Sequence, residues 1–364
     1  IYVTNYTNLL TLLFLCGIFR LNKKKKRIGK NMSNKKQKKT SLKSSILLLL
    51  LMALLLVASS YAWFTANQTV TISQLQVKVE AANGLQISAD AQNWKTVLDI
   101  NDLKEAAETY DVLVNQLPVP TNDNQSISIE PVSTAGNVVD GKMEMFYGEV
   151  TADDSGTYYL SATKQTEATG TSGKFIAFDL FLKVDELTTV YLTTGTNVVF
   201  DGSDKGLKNA ARIAFVKEAT VSAETDPETM RASSSASGKA DILEPNCDVH
   251  TANGVTSARD IYSTTTTLTN AAPLDYYGII NAIPAETITM KQTITENPSE
   301  EYFEKVLPKW KIPTAGQQVT FDNLAAGVTK VRVYMWIEGQ DVDCENMASG
   351  TNVNFNVQFS KASA

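Results

Sequence analysis

The stretch Val353-Asn354-Phe355-Asn356-Val357-Gln358-Phe359 alternates with period two, apolar on one face and Asn or Gln on the other. That pattern belongs to a strand with one face in a core and the other in water. It stops five residues short of the last residue, as the closing strand of a sandwich would. Strand patterns recur upstream, in Val331-Arg332-Val333-Tyr334-Met335-Trp336-Ile337, Ile288-Thr289-Met290, Thr189-Val190-Tyr191-Leu192, Lys174 to Val184 and Tyr158-Tyr159-Leu160. From Thr69 the apolar positions Val70, Ile72, Leu75, Val77 and Val79 alternate too, with one slip between Ile72 and Leu75 that predicts a bulge or a short break. Asn83-Gly84 marks a turn into Leu85-Gln86-Ile87-Ser88. Asn101 to Glu108 reads as a short capped helix, followed by polar loops to about Asn137. Leu207 to Glu218 mixes a helical turn with a strand.

Residues 219–270 change character: Glu224-Thr225-Asp226-Pro227, Ser233-Ser234-Ser235-Ala236-Ser237-Gly238 and Thr264-Thr265-Thr266-Thr267 are loop chemistry. This region reads as a loop-rich excursion from the core. Many short strands, Gly and Asn turns, few helices and no βαβ rhythm predict an all-β protein, a jelly-roll-like antiparallel β-sandwich with short helices and long loop insertions.

The N-terminal part is of another kind. After Met32 come five lysines, then an apolar run over 46–57, then Ala58-Ser59-Ser60-Tyr61-Ala62. This is the layout of a secretory signal over 32–62, with small residues at Ser60 and Ala62 for cleavage between Ala62 and Trp63. A membrane-spanning helix needs about 20 residues, so the 12-residue run is short for a span; extended through Phe64 it would serve as an uncleaved anchor. Residues 1–31 read as an over-extended leader ahead of a start at Met32, or as one arm of a membrane hairpin. The sandwich domain is 63–364, and its expected location is extracellular or at the cell surface.

Residues 1–62 hold 12 of the 33 Lys and Arg and no Asp or Glu, so 63–364 carries 21 basic against 39 acidic residues, a net −18. An acidic exported domain repels nucleic acid and anionic lipid. Contact with a membrane is then expected only through the N-terminal segment. Cys247 and Cys344 are the cysteines outside the leader. They read either as one disulfide, closing a loop of about 97 residues and contributing roughly 4–5 kcal/mol, or as two thiols.

Several segments resemble the TasA/camelysin-like secreted proteins of Gram-positive bacteria: Ser60 to Thr65 with Val77 to Ser88, Gly206 to Phe215, and Val333 to Asp341 with Phe355 to Phe359. The resemblance implies a jelly roll, release by a dedicated signal peptidase, and a role as a structural subunit of the surface or biofilm matrix, associating with itself or with other matrix subunits. In such proteins an N-terminal strand can complete a neighbour's sheet, and residues 63–80 stand where that strand would be. Residues 63–77 contain no charge and no proline, so they suit β-augmentation; the plainer reading is an ordinary first strand of its own sandwich.

Catalytic chemistry is sparse. The one histidine, His250, follows Asp248 in Asn246-Cys247-Asp248-Val249-His250, and no HExxH, G-x-S-x-G or P-loop occurs. The protein is expected not to be an enzyme; a secreted hydrolase using paired carboxylates is the alternative from that class. No cofactor is expected beyond Ca²⁺, for which Asp341, Asp343 and Glu345, with Glu338 before them, offer alternating oxygen ligands; otherwise this is a solvated acidic turn. Tyr158-Tyr159, Tyr276-Tyr277 and Trp336 would line a glycan groove if the chain were an adhesin, or else pack in the sandwich.

Overall fold

The strand over 327–337 is buried at every position along its eleven residues, and the rest of the architecture follows from what covers its two faces. The structure, a computed structural model, describes residues 70–80, 84–109, 117, 127–167, 173–201, 206–234, 236–244, 276–293, 298–311, 318–344 and 352–361. The leader over 1–31, the signal over 32–62 and the cleavage pair Ala62 and Trp63 lie outside the described residues, as do Cys247, Asp248, His250 and Glu345. Among the described residues no helix is long and apolar enough to cross a membrane.

Two large sheets form the all-β sandwich. The first has seven strands: β1 (Val70–Glu80), β3 (Val97–Asp99), β4 (Ile127–Ile129), β10 (Thr188–Leu192), β11 (Asn197–Asp201), β19 (Val319–Leu324) and β21 (Asn352–Lys361), with the order β19-β10-β21-β1-β3, β11 on β21 and β4 on β1. The second has six: β2 (Leu85–Ser88), β9 (Ile176–Val184), β12 (Ala211–Val221), β14 (Asp241–Glu244), β18 (Trp310–Lys311) and β20 (Gly327–Ile337), ordered β18-β14-β12-β20-β9-β2. One continuous core takes Val70, Ile72, Leu75, Val77 and Val79 of β1 and Val353, Phe355, Val357 and Phe359 of β21 from the first sheet. From the second it takes Ile176, Phe178, Leu180 and Leu182 of β9, Ile213 and Phe215 of β12, and Val331, Val333, Met335 and Ile337 of β20. Phe215, Trp310, Phe321 and Phe359 meet there with ring centroids 5.0–6.1 Å apart, a spacing that suits aromatic pairs.

The reverse face of the second sheet is covered as well. Phe175, Ala177, Ala214, Val216, Tyr334 and Trp336 pack under Val132, Ala135, Val138, Met143 and Met145. This outer layer comprises β5 (Asn137–Val139), β6 (Lys142–Met143) and β13 (Gly238–Lys239) as one small sheet, β7 (Met145–Ala152), β8 (Tyr158–Gln165) and β16 (Ile283–Thr289) as a second, and the pair β15 (Tyr276–Ile279) and β17 (Phe303–Val306). The Tyr334 hydroxyl accepts from the Met143 amide at 2.9 Å, and Ser133 Oγ accepts from the Ile279 amide at 3.1 Å.

Short helices punctuate the sheets: α1 (Ile100–Thr109), α2 (Leu207–Ala210), α3 (Pro227–Ala232) and α4 (Met290–Thr293). Two features differ from the sequence reading. The stretch 219–270 is not uniformly loop: it holds the end of β12, then α3, which Asp226 caps by accepting from the Thr229 amide, and then β13 and β14, the last of which widens the second sheet. The part over 245–270 lies outside the described residues. The pairing is also not purely antiparallel, since β1 with β21 and β14 with β18 run parallel.

Gly327 opens β20 at φ +125°, where a Cβ would sit 2.2 Å from the Val221 carbonyl oxygen. Gly327→Ala combines backbone strain with a clash against backbone and is expected to destabilise by about 3 kcal/mol, read as a lower urea midpoint with an unchanged slope.

Candidate functional site

Two features stand out from the scaffold: the seam of the first strand and a buried ionic cluster at the end of β20. β1 runs parallel to β21 from Thr71 opposite Asn352 to Glu80 opposite Ser360, with a shift between Ile72 and Gln74. The slip in the sequence pattern is this bulge. Ser73 Oγ donates to Asn354 Oδ1 at 2.8 Å and the Gln74 amide donates to the same oxygen at 3.0 Å. The other edge of β1 is also occupied, by β4 at 70–72 and β3 at 76–78, both antiparallel. Within the described residues β1 is thus an interior strand of its own sheet, while residues 63–69 lie outside them. A parallel pair cannot close through a hairpin, so β1 and β21 meet only by long-range docking. Without β1, β21 would present an open edge over 352–360 beside an exposed core.

The second feature centres on Arg212, which is fully buried. Its Nη2 donates to Glu244 Oε1 at 2.7 Å and to Asp341 Oδ2 at 2.5 Å, and its Nη1 donates to the carbonyls of Asn209 and Ala211. The guanidinium carbon lies 4.9 Å from the Tyr276 ring centroid. Asp341 Oδ1 accepts from the Asp343 amide at 2.8 Å, and Asp343 Oδ2 accepts from Asn209 Nδ2 at 2.9 Å. One arginine therefore ties the start of β12 to β14 and to the turn after β20.

Asp341 and Asp343, the Ca²⁺ candidates, do not form a solvated turn: both are buried, and Asp341 is engaged by a guanidinium. Their third member, Glu345, lies outside the described residues. Among the described residues no group of three or more His, Cys, Asp or Glu is spaced to hold a metal. Cys344, in the turn after β20, is a free, fully buried thiol packed in the sandwich core; Cys247, its candidate partner, lies outside the described residues. Burial, and next the Asp341 and Glu338 carboxylates, push the Cys344 thiol well above its ordinary value, so it carries little thiolate for nucleophilic work.

Glu338 is fully buried beside this cluster. Its carboxylate accepts from Trp336 Nε1 and from the Gln340 amide, each at 3.1 Å. Burial pushes its pKa up to about 7, against the opposing hydrogen bonds from Ser133, Trp336 and Gln340 and the charge of Arg212. The aromatic candidates divide: Trp336 and Tyr276 are core residues and do not line a groove, whereas Tyr158, Tyr159 and Tyr277 are half-buried. A cleft of about 270 Å³ lies elsewhere, lined by Asp90, Lys95, Asp102, Glu105 and Glu108 among others. Its Asp90 is taken up by Ser88, Gln92 and Asn93 of its own loop.

Arg212 was missed in the sequence, where it stands alone between Ala211 and Ile213. The available signal was a lone charge on the same strand face as Ala214 and Val216. Arg212→Met would leave Glu244 and Asp341 buried without their cation, and a loss of about 3–5 kcal/mol is expected in chemical denaturation. Glu338 gives a pH signature. An acid with a raised folded pKa holds its proton longer when folded, so stability falls as pH climbs from the unfolded value of 4.5 to about 7, and the penalty is complete above that. The fall is on the order of 3 kcal/mol. Glu338→Gln should flatten this part of the profile between pH 5 and pH 8.

No protein-family model, curated protein or solved structure matches the chain, so its functional reading rests on the fold and on these two features.

Proposed function

We propose that the chain is an exported, non-enzymatic structural subunit of the cell surface or extracellular matrix, released by a signal peptidase and polymerising by passing its first strand to a neighbouring copy. The observation that carries this reading is the β1–β21 seam: nine paired positions join the first described strand to the last in parallel. No hairpin holds β1 to β21, and Val70, Ile72, Leu75, Val77 and Val79 fill the core beneath it. The same stripe of side chains from a second copy would satisfy the same edge and the same core. The exchange is heterologous, so it extends a filament rather than closing a dimer. The charge-free segment 63–77 and the TasA/camelysin-like segments support the same reading, and the acidity of 63–364 disfavours nucleic acid as a partner.

Gln76 and Asn356 are partners across the seam and make the test direct. In a Cys247→Ser background carrying Gln76→Cys and Asn356→Cys, fibres grown under reducing conditions and then oxidised should run as covalent ladders on denaturing gels. Monomers oxidised first should be locked and unable to assemble. Fibres that dissolve into internally cross-linked monomers, or a locked chain that still polymerises, would overturn strand donation.

A further inference from the structure

The covered face of the second sheet holds another charge group, centred on Lys330. Lys330 is 8 % exposed, Asp179 2 % and Glu218 5 %. The register brings them together. Arg332 of β20 sits opposite Asp179 of β9 and Lys330 sits opposite Phe181, so Lys330 and Asp179 are diagonal neighbours. On the other flank Lys217 pairs with Val331 and Ala219 with Lys330, and the residue skipped between them is Glu218, at the bulge of β12. Glu218 interacts electrostatically with Lys330, Asp179 and Arg332. Lys330 Nζ lies 3.2 Å from Asp179 Oδ2 and donates to the Arg231 carbonyl at 2.7 Å. Arg332 Nη1 donates to the other carboxylate oxygen, Asp179 Oδ1, at 2.7 Å, while its Nε and Nη2 grip Glu167.

We propose that Lys330 and Asp179 are the two halves of a self-forming isopeptide cross-link, with Glu218 as the proton carrier. The Lys330 ammonium gives a proton to Glu218, and the freed amine attacks Cγ of Asp179. A C–N bond forms, one C–O bond breaks, and the departing oxygen takes up protons and leaves as water. The ammonium and the carboxylate become one neutral amide and one water, with no oxidant, reductant or second substrate. Arg332 holds the oxygen that remains, where negative charge grows during attack.

Three considerations favour condensation here over an ordinary ion pair. The Lys330 amine is held out of bulk water with a carboxylate to take its proton and a carboxyl carbon to attack on either side of it. The two groups are already at contact distance on rigid neighbouring strands, which removes most of the entropic barrier. Two desolvated charges become one neutral amide, relieving the cost of keeping an ion pair dry. Burial raises the Glu218 pKa, against the opposing effects of Ser234 and Lys330, which fits a carboxyl that must accept a proton and then return it. Among the described lysine–carboxylate pairs this is the one with both side chains at or below a tenth exposed. In the others the lysine is between a fifth and a half exposed, as in Lys174–Glu130, Lys309–Asp241 and Lys164–Glu144, and water would screen and solvate it.

The test is mass spectrometry of the purified full chain after complete denaturation. The expected result is a mass one water below that of the sequence at its observed N-terminus, a proteolytic fragment joining the peptides of Lys330 and Asp179, and a Lys330 amine that resists acylation in denaturant. Lys330→Arg and Glu218→Gln should return the mass to the full value. Asp179→Asn should condense by losing ammonia instead of water and give the same linked fragment. Should the variants fail to fold, the wild-type peptide map decides alone. A wild-type chain of full mass, or one that is lighter but acylates at Lys330 in denaturant, overturns the proposal.

Discussion

A cation with no water around it must find its counter-charge inside the protein, and three such cations, Arg212, Lys330 and Arg332, lie on the covered face of one sheet. Much of the surrounding architecture meets that requirement. β14 brings Glu244 and the turn after β20 brings Asp341 to Arg212. β9 brings Asp179 to Lys330 and Arg332, and Glu167, beyond the end of β8, completes the Arg332 set. The opposite face of the same strands is apolar, with Phe178 and Phe215 among its aliphatic side chains, and needs only shape. From Lys330 onward β20 thus carries two chemistries in alternation: Val331, Val333, Met335 and Ile337 pack the sandwich, and Lys330, Arg332, Tyr334 and Trp336 meet the outer layer through charge and hydrogen bonds.

This division assigns different jobs to the layers. Removing a partner from the charged face strands an ion, so the outer layer is held by interactions that are specific and costly to break singly. The sandwich core, by contrast, is held by apolar area, and the β1 stripe contributes to it through a docking that spans nearly the whole described chain. Pairings of such sequence separation form late. Until β1 docks, β21 has an unpaired edge of the kind that invites another strand. Under the proposed strand donation, folding and assembly would compete for the same edge.

Much of the sandwich could be read from the residues. β21 and β1 alternate over enough positions to be recognised, and even the bulge near Ser73 leaves its trace as a slipped period. The outer layer left only a partial trace: Tyr158-Tyr159-Leu160 and Ile288-Thr289 mark β8 and β16, but the small sheet beside them is silent. β5, β6 and β13 are two or three residues long, shorter than any window in which a period can be seen. β14 is four residues inside a Ser- and Thr-rich stretch whose composition reads as loop. Without that layer in view, Trp336 and Tyr276 looked available to a ligand and Asp341 looked wet. The meaning of Asp341 is set by Arg212, 129 positions earlier, and spacing within the acidic segment carries no information about it.

The burial of Cys344 gives the molecule an internal gauge. The free thiol has no exposure in the folded state, so a thiol reagent can reach it only when the turn after β20 opens. That turn also carries Asp341 and Asp343, so its opening loosens the Arg212 cluster. In an oxidising environment the survival of this sulfur as a thiol measures how seldom the fold breathes at that point. The age and mechanical history of a population of chains would then be written in the fraction of Cys344 that has been oxidised.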